Sequence, residues 1–258
     1  MLFGVCGNPE VAEIAARVSF DFMEWTVGEL LKPREPYEAF RKALDKALSQ
    51  GARYPVLNSF IPGDLRITGP DADVSALRAF SETALDRAEK AGVKIIVFGS
   101  GAARRVPDGF DKQIALQQIA AFCSMIAPIA HDHGVTIAVE PLNKAECNIL
   151  NTVARCADLT RKIAHPGVSL LVDAYHLMRD GDSYMDIIDN ADLLSHAHIA
   201  TVPNRLAPGA EPCDFSEFFD ALERGGYDGR ISIEARMENP EKELPEALSL
   251  MRSLERKR

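Results

Sequence analysis

Eight short apolar runs recur along this chain, and segments with helical periodicity separate them. The segment after the first run opens with Asn8 and Pro9, which favour a helix start, and three later segments end at glycine, which favours a helix end. Strands that alternate with helices, without a break in composition, predict a parallel α/β fold. The apolar runs cover residues 2–6, 20–25, 54–60, 93–99, 136–140, 168–173, 194–200 and 230–235.

The lengths of the loops favour one of the two common parallel architectures. Connections from helix to strand are short, whereas several connections from strand to helix are long, at residues 61–72, 99–111 and 201–214. Long loops at one end only are typical of a (β/α)8 TIM barrel whose C-terminal face carries the functional site. We therefore predict a single TIM-barrel domain over residues 1–258, with a doubly wound open sheet as the alternative.

Composition narrows the class of protein. A formal net charge of -9 disfavours binding to nucleic acid through phosphate neutralisation. Five scattered cysteines without a C-x-x-C pair indicate reduced thiols in a cytoplasmic protein. The N-terminus lacks the pattern of a signal peptide, and no uninterrupted apolar stretch reaches the ~18 residues of a membrane span. We expect a cytoplasmic protein with neither a nucleic-acid nor a membrane partner.

Four residues of metal-ligand type end four consecutive apolar runs. Glu140 ends the fifth run, Asp173 ends the sixth, His198 lies near the end of the seventh, and Glu234 lies at the end of the eighth. Strand alternation turns these side chains inward, at the mouth of the predicted barrel. His196 alternates onto the same face as His198. We expect His196 to lie behind the ligand, because His198 is nearer the C-terminal end of its strand.

Three converging carboxylates repel one another unless a positive group joins them. Singly, each residue also has a plain structural interpretation as a helix cap, an ion-pair partner or a hydrogen-bonded core histidine. Together, three carboxylates and one imidazole suit one divalent cation and leave two octahedral positions for substrate oxygens or water. Manganese is the first choice, and magnesium, cobalt and zinc stay open.

Four motifs carry a resemblance to a known family: VEPLNKAECNILNT, VDAYH, HAHIA and GYDGRISIEA. Together they resemble the xylose-isomerase-like TIM-barrel family of sugar isomerases and epimerases, in the branch of ketose 3-epimerases and hydroxypyruvate isomerase. The resemblance runs over about residues 2–250. It implies that Glu140, Asp173, His198 and Glu234 are the metal ligands, and that Glu140 and Glu234 also form the acid/base pair.

The same resemblance implies how substrate binds and reacts. Glu146, His176 and Arg205 match positions that hold substrate oxygens. The implied substrate is a keto-sugar or a related α-hydroxy carbonyl compound, and the protein is expected to be an isomerase or epimerase. One glutamate removes a carbon-bound proton to give an enediolate, and the other returns a proton to the opposite face or the neighbouring carbon. The sequence leaves a homo-oligomer open.

Three alternative functions accompany this interpretation. A metal-dependent lyase of the inosose-dehydratase type uses the same ligands and then expels a β-hydroxyl group. A non-catalytic sugar-binding barrel is disfavoured, because a pure binder has no need for paired carboxylates. The related AP endonucleases need further histidines, which the ends of the third and fourth runs and the loop 201–214 lack.

Smaller features have two interpretations each. Arg104 and Arg105 lie in a glycine-containing loop that could grip a phosphate, although an exposed lid is the favoured interpretation. Trp25 could form a wall for a sugar ring or belong to the core. Asn58 and the loop 61–70 could line the mouth of the barrel.

Overall fold

In the computed structural model, which describes residues 1–49 and 51–255, eight parallel strands close into a barrel in sequence order. Hydrogen bonds between the first strand and the last close the sheet, so the predicted TIM barrel is confirmed and the open-sheet alternative is wrong. The strands are β1 (Leu2–Cys6), β2 (Phe22–Thr26), β3 (Val56–Asn58), β4 (Ile95–Phe98), β5 (Thr136–Val139), β6 (Val168–Asp173), β7 (Leu194–Ile199) and β8 (Arg230–Ile233).

Eleven α-helices surround the barrel within the described residues. Eight of them match the periodic segments of the sequence. Of three short additions, α2 and α8 follow β2 and β6 directly, and two residues separate α5 from the end of β4. A 3₁₀ helix, Ala191–Leu193, precedes β7. The α-helices are α1 (Pro9–Val18), α2 (Val27–Leu30), α3 (Tyr37–Leu48), α4 (Val74–Ala91), α5 (Gly101–Arg104), α6 (Lys112–Asp132), α7 (Val153–Ile163), α8 (Ala174–Asp180), α9 (Tyr184–Asp189), α10 (Ser216–Arg224) and α11 (Pro240–Leu254).

Local side chains define several helix ends. The side chain of Asn8 accepts hydrogen bonds from the backbone N–H groups of Glu10 and Val11, so the predicted N-cap of α1 is confirmed. Gly92 ends α4 in the left-handed conformation, with φ of 76°, which glycine adopts without strain. These caps fix where α1 begins and where α4 ends before the chain returns to the barrel.

Two apolar layers support the functional end of the barrel. The larger layer packs the outward faces of the strands against the helices. The smaller layer fills the barrel interior with Phe22, Val56, Ile95, Val97, Ala138 and Leu171. Nearer the C-terminal ends of the strands, the buried residues that face the barrel interior are polar. The barrel is therefore a packed core that carries its chemistry at one mouth.

One helix, α6, is long and apolar enough to cross a membrane on length and composition alone. Core helices of soluble proteins pass the same test. Here α6 packs against α4 and β5, and its buried face includes Ile119, Phe122 and Ile126.

Candidate active site at the C-terminal mouth of the barrel

The four predicted ligand residues converge at the C-terminal mouth. One donor atom from each of Glu140, Asp173, His198 and Glu234 lies within 4.8 Å of the other three. Nδ1 of His198 lies 3.5 Å from Oε1 of Glu140 and 3.3 Å from Oε2 of Glu234. Strand register produces this arrangement, because Asp173 is paired with His198, and His198 is paired with Ser232 of the neighbouring strand.

Three of the four donor atoms at this centre lack protein partners, whereas Oε2 of Glu234 accepts from Arg205. Among the described residues, Glu140 Oε1, Asp173 Oδ2 and His198 Nδ1 are buried without a hydrogen bond. Each unpartnered buried polar atom costs about 1–3 kcal/mol. Three of them around one point indicate that a group from outside the chain completes the site. Carboxylate oxygens and one imidazole nitrogen fit a divalent cation.

Neighbouring contacts orient Asp173 and His198. Oδ1 of Asp173 accepts a hydrogen bond of 2.7 Å from the backbone N–H of Tyr175 and caps α8, which leaves Oδ2 for the centre. Nε2 of His198 lies 3.0 Å from Oε1 of Glu24. Because an ionised carboxylate only accepts, Nε2 carries a hydrogen, and Nδ1 is the ring nitrogen that faces the centre.

Glu24 lies at the site but is not among the site residues predicted from the sequence. It is fully buried on β2, and it contacts both histidines of β7. His196 lies behind His198, with Nε2 at 2.9 Å from Glu24 and 3.2 Å from Ser232 Oγ. A sequence signal existed, because Glu24 is a carboxylate near the end of an apolar run and alternates onto the same inward face of the strand as Phe22.

The pKa values at the mouth reflect burial and opposed charges. Burial and the charge of Glu234 raise the pKa of Glu140. Burial acts to raise the pKa of Glu234 as well, but His198 and Arg205 outweigh it and lower that pKa to about 2. Burial acts to lower the pKa of His198, but Glu24 and Glu234 hold it well above its usual range. The site thus concentrates negative charge around one imidazole.

The three predicted substrate-binding residues lie around the same centre. Arg205 donates to Glu234 Oε2 at 2.6 Å and to Glu146 Oε1 at 3.3 Å, and its guanidinium lies 4.8 Å from the ring centroid of Tyr175. Nε2 of His176 is buried without a partner and lies 3.4 Å from Asp173 Oδ2. All the site residues chosen from the sequence therefore meet at one mouth.

A cavity of about 490 Å³ opens onto these residues. Asn58 lines it and donates to Glu234 Oε1 at 3.3 Å. The loops after β3 and β4 line it as well, as expected for long strand-to-helix loops. Trp25 is partly buried against the core and is not among the lining residues, so its core interpretation is the better one. The lining residues are Thr26, Gly28, Asn58, Ser59, Ile61, Pro62, Gly63, Gly99, Ser100, Gly101, Ala102, Glu140, Leu142, Glu146, His176, Arg205 and Glu234.

The interpretation of Arg104 as an exposed lid or phosphate-binding residue is wrong. Its side chain is fully buried, and it donates to the backbone oxygens of Phe98 at 3.0 Å and Glu140 at 2.6 Å. The turn into α5 comes directly after β4 and directs Arg104 back toward the strand ends. Arg105 is exposed and donates to the backbone oxygen of Glu146 at 3.1 Å. Arg104 thus ties together the ends of β4 and β5, where Glu140 begins its loop.

Comparison with known proteins identifies the family. A family model described as a xylose isomerase-like TIM barrel matches residues 12–254. The chain belongs to this family. The resemblance inferred from the four sequence motifs is therefore confirmed.

Within the xylose isomerase-like family, curated relatives align over part of their length. A ketose 3-epimerase of Arthrobacter globiformis is 32% identical over 111 residues, which are 43% of this chain and 38% of that protein. A 3-dehydro-D-guloside 4-epimerase of Escherichia coli (strain K12) is 30% identical over 135 residues, half of each chain. The chain thus spans half or less of the length of these relatives.

Solved structures share the whole barrel. One is D-psicose 3-epimerase from Clostridium cellulolyticum H10, solved with D-tagatose. It aligns with a TM-score of 0.86 and 21% identity, over 99% of this chain and 100% of that chain. A family 2 AP endonuclease from Brucella melitensis has a TM-score of 0.77 at 20% identity, with 99% and 100% covered. Because proteins with such different names share the fold, the side chains of the site must decide the function.

Proposed function

We propose that this protein is a divalent-metal-dependent isomerase or epimerase that acts on a keto-sugar or a related α-hydroxy carbonyl compound by proton transfer through an enediolate. The observation that carries the proposal is the convergence of four donor atoms, three of which lack a protein partner and two of which belong to glutamates. Similarity to a ketose 3-epimerase and to a guloside 4-epimerase supports the same chemistry.

Glu140, Asp173, His198 and Glu234 would hold the cation. Manganese is the first choice because oxygen donors dominate the set, and magnesium, cobalt and zinc are the alternatives. A cation bound there would polarise the carbonyl of the substrate and offset the negative charge that develops on its oxygen.

Each glutamate keeps a second oxygen away from the donor centre. Oε2 of Glu140 lies beside Gly99, and Oε1 of Glu234 accepts from Asn58. These second oxygens are available to take or return a proton. Because β5 and β8 are separated by two strands on one side of the barrel and by four on the other, the two carboxylates approach a substrate from different directions. One would remove the carbon-bound proton, and the other would protonate the opposite face and invert the centre.

Three residues at the rim would bind the substrate. Nε2 of His176 is free to donate to a substrate oxygen. Arg205 would donate through a guanidinium that Tyr175 and Glu146 hold in place, and the carboxylate of Glu146 would accept from a hydroxyl. Positioning by these groups allows weak bases such as carboxylates to remove a carbon-bound proton.

The proposal also covers the cellular location of the enzyme and its partners. All five cysteines are free, which supports a reducing cytoplasm. The partner we propose is a small carbohydrate, bound without nucleic acid or a membrane. A homo-oligomer is compatible with this proposal.

Proton exchange with solvent is the direct test of this function. We expect manganese-loaded protein to incorporate deuterium from D₂O into the carbon adjacent to the carbonyl of at least one ketose in a panel of hexuloses, pentuloses and keto-inositols. Chelated protein is the control and should be inactive. Loss of water from the substrate would favour the lyase. Absence of exchange across the panel would contradict the proposal and favour the sugar-binding barrel.

A further inference from the structure

Asn143 lies three residues after Glu140, in the loop between β5 and α7, and its side chain is fully buried. Its carboxamide lies between two of the residues proposed to bind substrate. Nδ2 of Asn143 lies 2.8 Å from Nδ1 of His176 and 2.9 Å from Oε1 of Glu146. The loop that carries Glu146 is therefore joined to His176 through a single amide group.

The orientation of this amide follows from its other contacts. Oδ1 of Asn143 accepts from the backbone N–H groups of Ala145 at 3.0 Å and Glu146 at 3.1 Å. A backbone N–H can only donate, so the oxygen must be on that side and Nδ2 must face the imidazole. The backbone N–H of Asn143 also donates to Nδ1 of His176, at 3.3 Å.

Two N–H groups thus point at one ring nitrogen of His176. A nitrogen that faces two donors has to accept, and a neutral imidazole then carries its hydrogen on the other nitrogen. That other nitrogen, Nε2, is the buried atom without a partner at the cavity wall. We infer that Asn143 is a positioning residue that fixes His176 in the Nε2–H tautomer and directs this hydrogen bond donor at a substrate oxygen.

The chemical consequence concerns the division of roles at the mouth. A neutral imidazole that donates can stabilise negative charge building on a substrate oxygen. Its other nitrogen is occupied by Asn143, so the ring does not compete with Glu140 and Glu234 for the carbon-bound proton. The same amide holds Glu146 toward the site. The role of the donor toward substrate depends on the proposed function, whereas the tautomer does not.

Nitrogen-15 NMR of the histidine rings tests the tautomer without substrate. The full chain has six histidines, so few ring signals need to be separated, and the signal lost in His176→Gln identifies the ring. Chelated protein avoids broadening by a paramagnetic ion. We expect Nδ1 of His176 to resonate as an unprotonated nitrogen and Nε2 as a protonated one. A ring protonated at Nδ1, alone or together with Nε2, would overturn the inference.

Substitution of Asn143 tests its control of the ring. The side chain of Asn143→Asp presents only acceptors, at a shorter distance than the retained backbone N–H, and should place a hydrogen of His176 on Nδ1. Asn148→Asp is the matched control, because Asn148 lies in the same loop but bonds to the backbone of Val106. It should leave His176 unchanged. An unchanged tautomer in Asn143→Asp would refute the role of the amide.

Two further measurements keep the result decisive. If Asn143→Asp does not fold, Asn143→Ser retains the backbone donor and should give a mixture of tautomers, whereas a pure Nε2–H ring would count against the inference. In the deuterium exchange assay, Asn143→Asp should be slower by about 10-fold, the effect of one lost hydrogen bond, and Asn148→Asp should not. A wild-type protein without exchange activity would refute the proposed function, while the NMR result would still decide the tautomer.

Discussion

Substituting Gly99 with alanine tests the position of the Glu140 carboxylate. Gly99 follows β4 directly, and a Cβ atom built there would overlap Oε2 of Glu140 and lie 3.5 Å from Leu142 Cδ2. The backbone of Gly99 is outside the left-handed region, so alanine itself is tolerated. The carboxylate must therefore retreat by about 1 Å to regain ordinary van der Waals contact.

The expected loss of activity is far larger than the loss of stability. A misplacement of about 1 Å at a reacting group can slow a reaction by about 100-fold. The displaced atom is the end of a side chain, and an off-rotamer glutamate costs only about 1 kcal/mol of folding free energy. We predict a roughly 100-fold slower deuterium exchange in Gly99→Ala, with an unfolding temperature within a few degrees of wild type.

Gly28→Ala provides the matched control. Gly28 lines the same cavity, but a Cβ atom there meets nothing within 4 Å. Initial rates should be measured by proton NMR in D₂O at saturating cation, with thermal unfolding in parallel. Exchange in Gly99→Ala within about twofold of wild type, or equal losses in both variants, would refute the proposed role of the Glu140 side chain.

Three further predictions concern the residues around the centre. His198→Ala should lower the affinity for manganese by more than about 100-fold, and His196→Ala should lower it much less, as measured by isothermal titration calorimetry. Equal losses would mean that His198 is wrongly assigned as the metal ligand. Glu24→Gln should lower the same affinity by about 10–100-fold, because a neutral amide polarises His198 less, and an unchanged affinity would contradict the orienting role. Arg104→Met leaves the buried backbone oxygen of Glu140 without its donor, whereas the oxygen of Phe98 still accepts from the backbone N–H of Glu140. The free energy of unfolding in urea should fall by about 1–3 kcal/mol, and a change below about 0.5 kcal/mol would show that water or relaxation replaces the arginine.

The fold was predictable because parallel strands in a barrel are buried on both faces. Such strands appear in the sequence as continuous apolar runs, and all eight runs contain or overlap the observed strands. The short helices α2 and α5 escaped prediction, since four residues are too few to show a helical period. The long loops on one side correctly indicated the end of the barrel that carries the cavity.

The site was predictable only where a residue's position in its own strand determines its direction. Glu140, Asp173 and Glu234 stand at strand ends, and alternation turns them inward. The contact between Glu24 and His198 joins residues 174 positions apart, and the bond from Arg104 to the Glu140 backbone depends on how the chain turns after β4. Contacts of this kind arise from packing between elements, which the periodicity of one sequence does not encode.

In the proposed mechanism, Glu140 and Glu234 each handle the proton on one face of the substrate. Glu140→Gln and Glu234→Gln keep the shape and one oxygen donor but remove one base. After calorimetry has confirmed that each variant binds manganese, deuterium exchange should be measured separately with the two epimers of the reactive ketose. We predict that each variant exchanges one epimer and not the other, with opposite preferences, and that neither interconverts them. Equal loss of exchange with both epimers in both variants would contradict the two-face mechanism and favour a single base or a hydride shift.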